Sequence, residues 1–248
     1  MVLLVHMIWL QGECNIPERF KKNLDLWRRH TKIKVWDDIM IKGLITTHFP
    51  ELLKIYDNYP IFVQRADLGR YVILYIYGGL YLDIDTKPID SHMTILWRRL
   101  QEVPDGTVVF PGPNVPYNGI PSMDAKICNW FIYTPQPGLP FLKTCLNNIG
   151  KHTQRGMLQL RSYYVSASTG AVFLTKYMDE SCRTIPVHDT LINEYAGTWG
   201  KLDDRDAVLI AAFVIIILVI LLLIVWGIRR FRQKYSSSGW KYIQPQVE

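Results

Sequence analysis

The feature that most constrains this chain is an uninterrupted apolar run near its C-terminal end. Residues 207–228 read AVLIAAFVIIILVILLLIVWGI and include no charged side chain. A helix of about 20 apolar residues crosses a hydrocarbon layer of roughly 30 Å. A buried core helix is the alternative, but core helices usually carry a polar face or polar interruptions, and this run has neither. We therefore predict a single-pass membrane protein with a transmembrane helix over residues 207–228.

The positive charge of the chain is concentrated directly after this run. Residues 229–248 hold five basic residues and one acidic residue, and so account for +4 of the formal net charge of +6. The rest of the chain has no basic stripe interleaved with aromatic residues, so a nucleic-acid partner is not indicated. We predict that residues 229–248 form a basic polar tail that lies against anionic lipid headgroups.

The charges on either side of the apolar run predict its orientation. The short linker 201–206, KLDDRD, is net acidic, whereas RRFRQK after the run is strongly basic. The positive-inside rule then places the tail in the cytosol and the preceding domain in the lumen. A tail-anchored protein that faces the cytosol stays open, because MVLLVHMIWL lacks the basic start and cleavage site of a signal peptide. The four cysteines fit either free thiols or one or two lumenal disulfides.

Residues 1–200 alternate between segments typical of strands and of helices. VLLVHMIW and KIKVWDD have the length of strands, and Ile33 and Val35 in the second share one face. IPERFKKNLDLWRRH has helical spacing, and a longer helical region ends at Gly78-Gly79, because glycine adopts left-handed backbone at little cost. LYLDID, TVVFP and CNWFIYT follow as strand candidates. This alternation predicts one α/β domain built on a largely parallel sheet.

Two aspartates stand at the end of the candidate strand LYLDID. If the strand is extended throughout, Asp83 and Asp85 project from one face about 6–7 Å apart, while Leu82 and Ile84 face the core. A carboxylate pair at the carboxyl end of a strand can hold a divalent cation in the crevice where open α/β sheets bind ligands. Taken alone the pair is weak support for a site, because a solvated strand end explains it equally well.

The residues before the pair make a site the better interpretation. The full stretch, residues 65–85, reads RADLGRYVILYIYGGLYLDID. On a helix Asp67 and Arg70 lie at positions i and i+3 of one face, where a surface ion pair is the alternative. A glycine turn and a second acidic pair follow them at once, so that all of these groups are directed at one crevice.

This stretch closely resembles the sugar-binding DXD region of the glycosyltransferases grouped with yeast initiating α-1,6-mannosyltransferase, which form glycosyltransferase family 32. The resemblance is closest to inositol phosphoceramide mannosyltransferase catalytic subunits. It continues more weakly through HMIWLQG, KVWDD, STGAVFL and AGTW. The resemblance implies a GT-A (Rossmann-like) glycosyltransferase domain over residues 1–200, followed by the membrane helix.

The resemblance also implies a role for each matching residue. Trp9 would stack on the base of the nucleotide-sugar donor, Asp67 and Arg70 would hold the donor sugar, and Asp83 would contact ribose and sugar. The indole N–H of Trp199 would stabilise the leaving diphosphate. A core position is the alternative for Trp9.

The implied metal is Mn²⁺ or Mg²⁺, held by Asp85 together with Asp83. Many relatives place histidines shortly before the terminal tryptophan, and this chain has Asn193 and Glu194 there instead. Carboxylate oxygen suits either cation, so Glu194 can replace the missing ligand. If Glu194 points away from the site, metal affinity is expected to be weak.

A few further residues are expected to be structural. Trp36 and Trp130 are predicted to lie in the core, and His188 in a surface loop rather than at a metal. Ala171 replaces a proline that is usual in relatives, and this is expected to alter only the stiffness of a loop.

The implied function is that of a membrane-anchored, metal-dependent retaining glycosyltransferase. It would move mannose from GDP-mannose to a lipid such as inositol phosphoceramide, in the Golgi or another secretory membrane, with a regulatory membrane subunit as a further partner. No residue qualifies as a covalent nucleophile, so a same-face displacement assisted by the leaving group is expected. An acceptor among protein-linked glycans and a non-catalytic subunit with this fold stay open. A haloacid-dehalogenase-like phosphatase is disfavoured because Lys87 stands where its motif requires threonine.

Overall fold

The computed structural model describes residues 3–112, 127–194 and 203–237, and its contacts divide the chain into two units, Met1–Lys201 and Leu202–Glu248. The described part of the first unit has eight strands. They are β1 Leu4–Ile8, β2 Lys32–Trp36, β3 Gly79–Leu82, β4 Thr86–Pro88, β5 Val108–Pro111, β6 Phe131–Thr134, β7 Cys182–Ile185 and β8 Leu191–Asn193.

The described helices of the first unit lie between these strands. They are α1 Glu18–Arg28, α2 Asp38–His48, α3 Pro50–Asn58, α4 Phe62–Tyr77, α5 Met93–Gln101, α6 Pro140–Asn148, α7 Arg161–Ser168 and α8 Ala171–Tyr177. Among them, α2 begins where the side chain of Asp37 accepts a hydrogen bond from the backbone N–H of Met40, a typical N-cap.

Six strands form a central sheet in the order β2-β1-β3-β6-β5-β7. β2, β1 and β3 are mutually parallel, as are β5 and β7, and β6 pairs antiparallel with both β3 and β5. β4 and β8 form a separate antiparallel pair. The predicted α/β fold with a largely parallel sheet is therefore confirmed, and the reversed direction of β6 is an addition to it.

Both faces of the central sheet are covered by apolar side chains from helices. One cluster contains Val72 of α4 and Phe141 of α6, and the other contains Leu24 of α1. Ile33 and Val35 both pack with the second cluster, as their spacing predicts. The sheet is thus the middle of three layers, which leaves its ends as the places where polar groups can meet a ligand.

The turn after α4 depends on two glycines. Gly78 and Gly79 have φ angles of 64° and 92°, in the region that favours glycine. A Cβ on Gly79 would come within 2.7 Å of the carbonyl oxygen of Leu4, and one on Gly78 within 2.9 Å of the backbone of Gln136. The predicted helix end at this pair is confirmed, and it delivers the chain from α4 directly into β3.

A buried histidine, His6 of β1, connects β1 and β2 to this turn. The indole N–H of Trp36 donates to Nδ1 of His6 at 3.1 Å, so the proton of the neutral ring is on Nε2, which donates to the carbonyl oxygen of Gly78 at 3.0 Å. Burial lowers the pKa of His6 from 6.5 to about 4, although the bond to Gly78 opposes this shift. The ring therefore stays neutral in the folded chain at neutral pH.

This histidine predicts a loss of stability in weak acid. Below pH 6.5 the unfolded chain protonates His6 and the folded chain does not until about pH 4, so the free energy of unfolding falls as the pH drops through that window. We expect His6 to contribute a loss of about 2 kcal/mol between about pH 7 and pH 5. Denaturant unfolding of the full chain and of His6→Gln at both pH values measures this contribution as the difference in pH dependence. Equal pH dependence in the two chains would contradict it.

The cysteines of the described residues are free thiols. Cys14 is exposed, Cys145 is buried, and Cys128 and Cys182 are half-buried. Of the two possibilities left open by the sequence, the structure has the thiol form.

The second unit contains α9, Asp204–Ser237. Its segment Asp204–Gln233 is long and apolar enough to cross a membrane, by length and composition alone, and it includes the predicted span 207–228. The alternative of a core helix requires burial, and the apolar part of α9 is not buried. The helix has the dimensions that the sequence predicts for a membrane span.

Candidate active site

Polar and aromatic residues collect at one end of the central sheet. Because β1, β2 and β3 are adjacent and parallel, their carboxyl ends meet at one edge, and Trp9 and Asp83 directly follow β1 and β3. β6 runs the other way, so Asn129 and Trp130, just before it, lie at that same edge. This is the edge at which open α/β sheets bind ligands.

An ion pair on α4 lies under this edge. Nη2 of Arg70 is 2.9 Å from Oδ1 of Asp67, and the two residues are only 3% and 2% exposed. The alternative of a surface ion pair at i and i+3 is therefore wrong. Since charges are buried at considerable cost, a buried pair on a helix needs further partners.

Arg70 finds those partners beyond its own helix. Its Nη1 lies 3.1 Å from Oδ1 of Asp83 and donates to the carbonyl oxygen of Asn129 at 2.6 Å. Its guanidinium lies 4.4 Å from the centre of the Tyr81 ring, and the Tyr81 hydroxyl donates to the same oxygen of Asp83 at 2.8 Å. Burial acts to lower the pKa of Arg70, but Asp83, Tyr81 and Asp67 outweigh it and the pKa is raised. The cation therefore fixes the first aspartate of the Asp-x-Asp pair.

Asp67 is held by two side chains from distant parts of the chain. The Thr169 hydroxyl donates to its Oδ2 at 2.6 Å, and the Asn129 amide donates to its Oδ1 at 3.0 Å. The carbonyl oxygen of Thr169 in turn accepts from the Tyr71 hydroxyl. Burial raises the pKa of Asp67, and Arg70, Thr169 and Asn129 act in the opposite direction.

Asn129 and Thr169 are site residues that the sequence analysis missed. Asn129 falls inside the predicted strand CNWFIYT, but β6 begins only at Phe131, so Asn129 belongs to the loop before it. Thr169 lies in STGAVFL, which carries a family resemblance but no assigned role. A single asparagine or threonine carries no local signal that distinguishes a site residue from an ordinary polar residue, so the sequence singled out neither one.

The expected extended strand through LYLDID is wrong beyond Leu82. β3 ends there, and the backbone N–H of Thr86 donates to the carbonyl oxygen of Asp83 at 3.0 Å, which closes a four-residue turn. The turn occurs because the chain leaves the central sheet for the separate β4–β8 pair. Ile84 is still buried, at 8% exposed, as expected, but Asp83 and Asp85 are placed by a turn and not by strand alternation.

The β4–β8 pair brings the predicted C-terminal ligands to Asp85. Asn193 is paired with Thr86, and the backbone N–H of Glu194 donates to the carbonyl oxygen of Asp85 at 3.0 Å. The carboxylate of Glu194 accepts from the Asn23 amide of α1 at 3.2 Å. The backbones of Asp85, Asn193 and Glu194 are thus brought together. The Glu194 side chain is directed at α1, which is the case in which weak metal affinity is expected.

The chemistry of these four residues fits a hard divalent cation. Carboxylate and amide oxygens are the ligands that Mg²⁺ and Mn²⁺ prefer. Within the described residues, no three His, Cys, Asp or Glu side chains are already grouped as a metal would require. One carboxylate oxygen of Asp83 is already engaged by Arg70 and Tyr81, which leaves its other oxygen for a cation.

The tryptophans singled out by the sequence differ in how deeply they are buried. Trp9 is half-buried, donates from its indole N–H to the carbonyl oxygen of Asn15 at 3.1 Å and packs at 5.9 Å from the Phe20 ring. Trp36 and Trp130 are buried at 2% and 4% exposed, as predicted. Trp199 lies outside the described residues.

His188 lies in the predicted loop, between β7 and β8, and is half-buried with its ring edge-on to Trp130 at 6.1 Å. Ala171 begins α8, directly after Gly170. Neither residue is part of the network around Arg70.

Residues 17–100 match the family model described as glycosyltransferase sugar-binding region containing DXD motif. The matched range begins before α1 and ends in α5, and it includes Asp67, Arg70, Asp83 and Asp85. The ion-pair network and the turn between the two aspartates therefore lie inside the matched region, whereas Asn129, Thr169 and Glu194 lie outside it.

Individual proteins are similar over parts of their length. An uncharacterized glycosyltransferase of Acanthamoeba polyphaga mimivirus is 41% identical over 86 residues, 33% of this chain and 34% of that protein. Inositol phosphoceramide mannosyltransferase 1 of Schizosaccharomyces pombe is 26% identical over 200 residues, 74% of this chain and 55% of that protein. The matches thus span from a third to about half of these relatives.

Among solved structures, the PaToxG glycosyltransferase is similar with a TM-score of 0.46 and 18% identity, over 70% of this chain and 66% of that one.

Proposed function

We infer that this chain is a glycosyltransferase, from the premise that residues 17–100 belong to the family of glycosyltransferase sugar-binding regions that contain a DXD motif. We propose more specifically a membrane-anchored, metal-dependent, retaining enzyme with a GT-A domain over residues 1–200. It would transfer mannose from GDP-mannose to a lipid acceptor such as inositol phosphoceramide. The acceptor is suggested by the similarity to inositol phosphoceramide mannosyltransferase 1.

One observation carries the proposal. Arg70 is buried, yet it forms contacts of 2.9 Å with Asp67 and 3.1 Å with Asp83 at the edge of the sheet. A network of this kind costs desolvation energy and gives little net stability compared with an apolar core. Its effect is to hold the Asp83 carboxylate in a fixed position, which is what a site for a charged, polyhydroxylated donor needs.

The role proposed for each site residue follows from the solvent exposure of its side chain. The Asp83 side chain is 33% exposed and can contact the ribose and the sugar of the donor. Asp67 and Arg70 are almost fully buried, so we assign them mainly to positioning Asp83. Trp9 follows β1 at the same edge and presents a half-buried indole on which a base can stack. Trp199 is proposed as a donor to the leaving diphosphate.

Asp85 is the proposed principal metal ligand, assisted by Asp83 and Asn193. Glu194 would join them only by exchanging its hydrogen bond with the Asn23 amide for the cation. When bound, Mn²⁺ or Mg²⁺ would supply Lewis acidity where negative charge develops on the leaving diphosphate. The acceptor hydroxyl would attack from the face that the diphosphate leaves, and its proton would pass to that leaving group. This route needs no covalent nucleophile from the chain and no strong protein base.

The membrane assignment rests on α9 and on the charges around it. We propose that α9 spans a Golgi or other secretory membrane with residues 1–200 in the lumen, because basic residues follow its apolar run 207–228 and acidic residues precede that run. We propose a regulatory membrane subunit as a further partner. Transfer to protein-linked glycans is the second candidate, favoured by 33% identity over 95 residues to the initiation-specific alpha-1,6-mannosyltransferase of Candida albicans.

A donor screen tests the proposal. The purified full chain in detergent is given Mn²⁺ and, in separate reactions, GDP-mannose and several UDP-sugars, and released nucleotide is measured. We expect release from GDP-mannose above the other donors, and its loss when a chelator removes the metal. Absence of release with every donor would contradict the enzyme assignment and favour a non-catalytic subunit with the same fold.

A further inference from the structure

A cavity of about 490 Å³ opens beside the predicted metal residues. One wall is α1, and the others come from β4 and from the residue after β8. We call it the α1 cavity, and it is lined by Arg19, Lys22, Asn23, Asp25, Leu26, Arg29, Lys87 and Glu194. Its volume is within the range of sites for small molecules.

The α1 cavity is lined by four cations. Arg19, Lys22 and Arg29 follow one another at three- and seven-residue intervals, so they lie along one face of α1 and its C-terminal end. Lys87 of β4 adds a fourth. Within the described part of the chain, none of the four side chains forms an ion pair or a hydrogen bond; Arg19 only lies over the Phe20 ring, at 4.4 Å.

The two acidic residues of the cavity do not balance these cations. Asp25 is 3.5 Å from Arg28, which lies outside the cavity lining, and Glu194 accepts from the Asn23 amide at 3.2 Å. The lining therefore carries four positive and two negative side chains, and its cations have no acidic partner of their own. An excess of unpaired positive charge in a concave site favours an anionic ligand.

The walls of the cavity are held in place by buried contacts. Trp27 of α1 is fully buried, and its indole N–H donates to the carbonyl oxygen of Thr86 at 2.8 Å, which fixes α1 against β4. The Asn23–Glu194 bond joins α1 to the chain after β8. The positions of the cations are thus set by the fold, although their side chains reach into open space.

The cavity adjoins the predicted metal residues and shares one of them, Glu194. Lys87 is two residues after Asp85, and Glu194 donates its backbone N–H to the carbonyl oxygen of Asp85 at 3.0 Å. Neither Asp83, Arg70 nor Trp9 lines the cavity. A molecule in the α1 cavity would therefore lie next to a donor held by those residues and not in its place.

We propose that the α1 cavity binds a phosphate group of the acceptor, so that the acceptor is a phosphate-bearing molecule whose hydroxyl is presented beside Asp85. This assignment rests on the proposed glycosyltransferase function. Arginine can bind two phosphate oxygens at once and lysine supplies a mobile point charge, so the four cations together suit a tetrahedral oxyanion. Lys22, Arg29 and Lys87 would then select for a phosphorylated acceptor against a neutral one.

Calorimetric titration of the full chain in neutral detergent tests the site with three probes: inorganic phosphate, myo-inositol 1-phosphate and uncharged myo-inositol. We expect both phosphates to bind, the inositol phosphate more tightly, and myo-inositol not to bind. Lys22→Glu and Arg29→Glu should each weaken phosphate binding about tenfold. Lys21→Glu is the matched control, because Lys21 is the neighbouring cation on α1 but does not line the cavity, and its effect should stay within about twofold.

Two results would overturn the proposal: no binding of either phosphate, or equal weakening by Lys21→Glu and Lys22→Glu. Equal affinity for the two phosphates would overturn the assignment to an acceptor headgroup, because it would indicate a site for free phosphate. Nucleotide release by the unmodified chain is measured in the same preparation. Release without phosphate binding would mean that the cavity assignment fails alone, and phosphate binding without release from any donor would mean that the glycosyltransferase proposal fails.

Discussion

Replacing Arg70 with methionine is expected to lower the free energy of unfolding of the first unit by about 3 to 5 kcal/mol. The change removes the cation that lies 2.9 Å from the Asp67 carboxylate, and it leaves that carboxylate buried at 2% exposed. The Thr169 and Asn129 donors remain but cannot neutralise it. Denaturant unfolding of the full chain, followed by tryptophan fluorescence, measures the loss.

The double variant Asp67→Asn/Arg70→Met is the control for this prediction. It removes both charges from the buried site, so it should regain a large part of the stability that Arg70→Met loses. Arg65→Met removes a less buried cation of the same helix, with a side chain 20% exposed, and should cost about 1 kcal/mol or less. If the double variant is less stable than Arg70→Met by the full cost of a second independent change, the two side chains are not coupled as proposed.

Asp85→Ala is expected to reduce nucleotide release from the donor by about a hundredfold to a thousandfold. The reason is the loss of the proposed principal metal ligand, which removes charge stabilisation at the leaving diphosphate. Initial rates of release with saturating donor measure the effect. Mn²⁺ binding, followed by electron paramagnetic resonance, should weaken in parallel.

Asp105→Ala is the matched control for Asp85→Ala, because Asp105 is an exposed aspartate in the loop before β5. It should leave both the release rate and Mn²⁺ binding unchanged. Full Mn²⁺ affinity in Asp85→Ala would contradict the metal assignment, even if its release rate falls.

The path of the chain from α4 into β3 is predictable from the sequence. Alternating polarity, helical spacing and a pair of adjacent glycines are local signals, and Gly78 and Gly79 have the positive φ angles that such a pair indicates. The spacing of Asp67 and Arg70 on α4 is local in the same way. What the spacing leaves open is whether the pair faces solvent or the interior, and this depends on which face of α4 packs on the sheet.

The turn between Asp83 and Asp85 is not predictable from the same signals. Leu82 and Ile84 are both buried and alternate with the two aspartates, which is the pattern of a continued strand. The chain turns because β4 pairs with β8, more than a hundred residues further on. Local periodicity predicts neither which strand β4 pairs with nor that β6 runs antiparallel to its neighbours.

The rest of the polar network depends on contacts of long range. Asn129 and Thr169 are separated from Asp67 by 62 and 102 residues, and only the folded chain brings their donors to its carboxylate. The grouping of cations in the α1 cavity is likewise not predictable from local sequence, because Lys87 lies near Lys22 and Arg29 only when β4 packs beside α1. A single sequence identifies the acidic and basic groups of the site but not the partners that fix them.

The most direct test of the proposed activity is sugar transfer itself. The full chain, reconstituted in detergent with Mn²⁺, GDP-mannose and inositol phosphoceramide, is compared with Asp85→Ala, and the lipid products are analysed by mass spectrometry. The proposed function predicts a lipid heavier by one hexose and an equal amount of released GDP from the unmodified chain, with almost none from Asp85→Ala. Equal yields from both chains would contradict the role of the Asp83–Asp85 turn, and no transfer or release with any donor or acceptor would contradict the glycosyltransferase assignment.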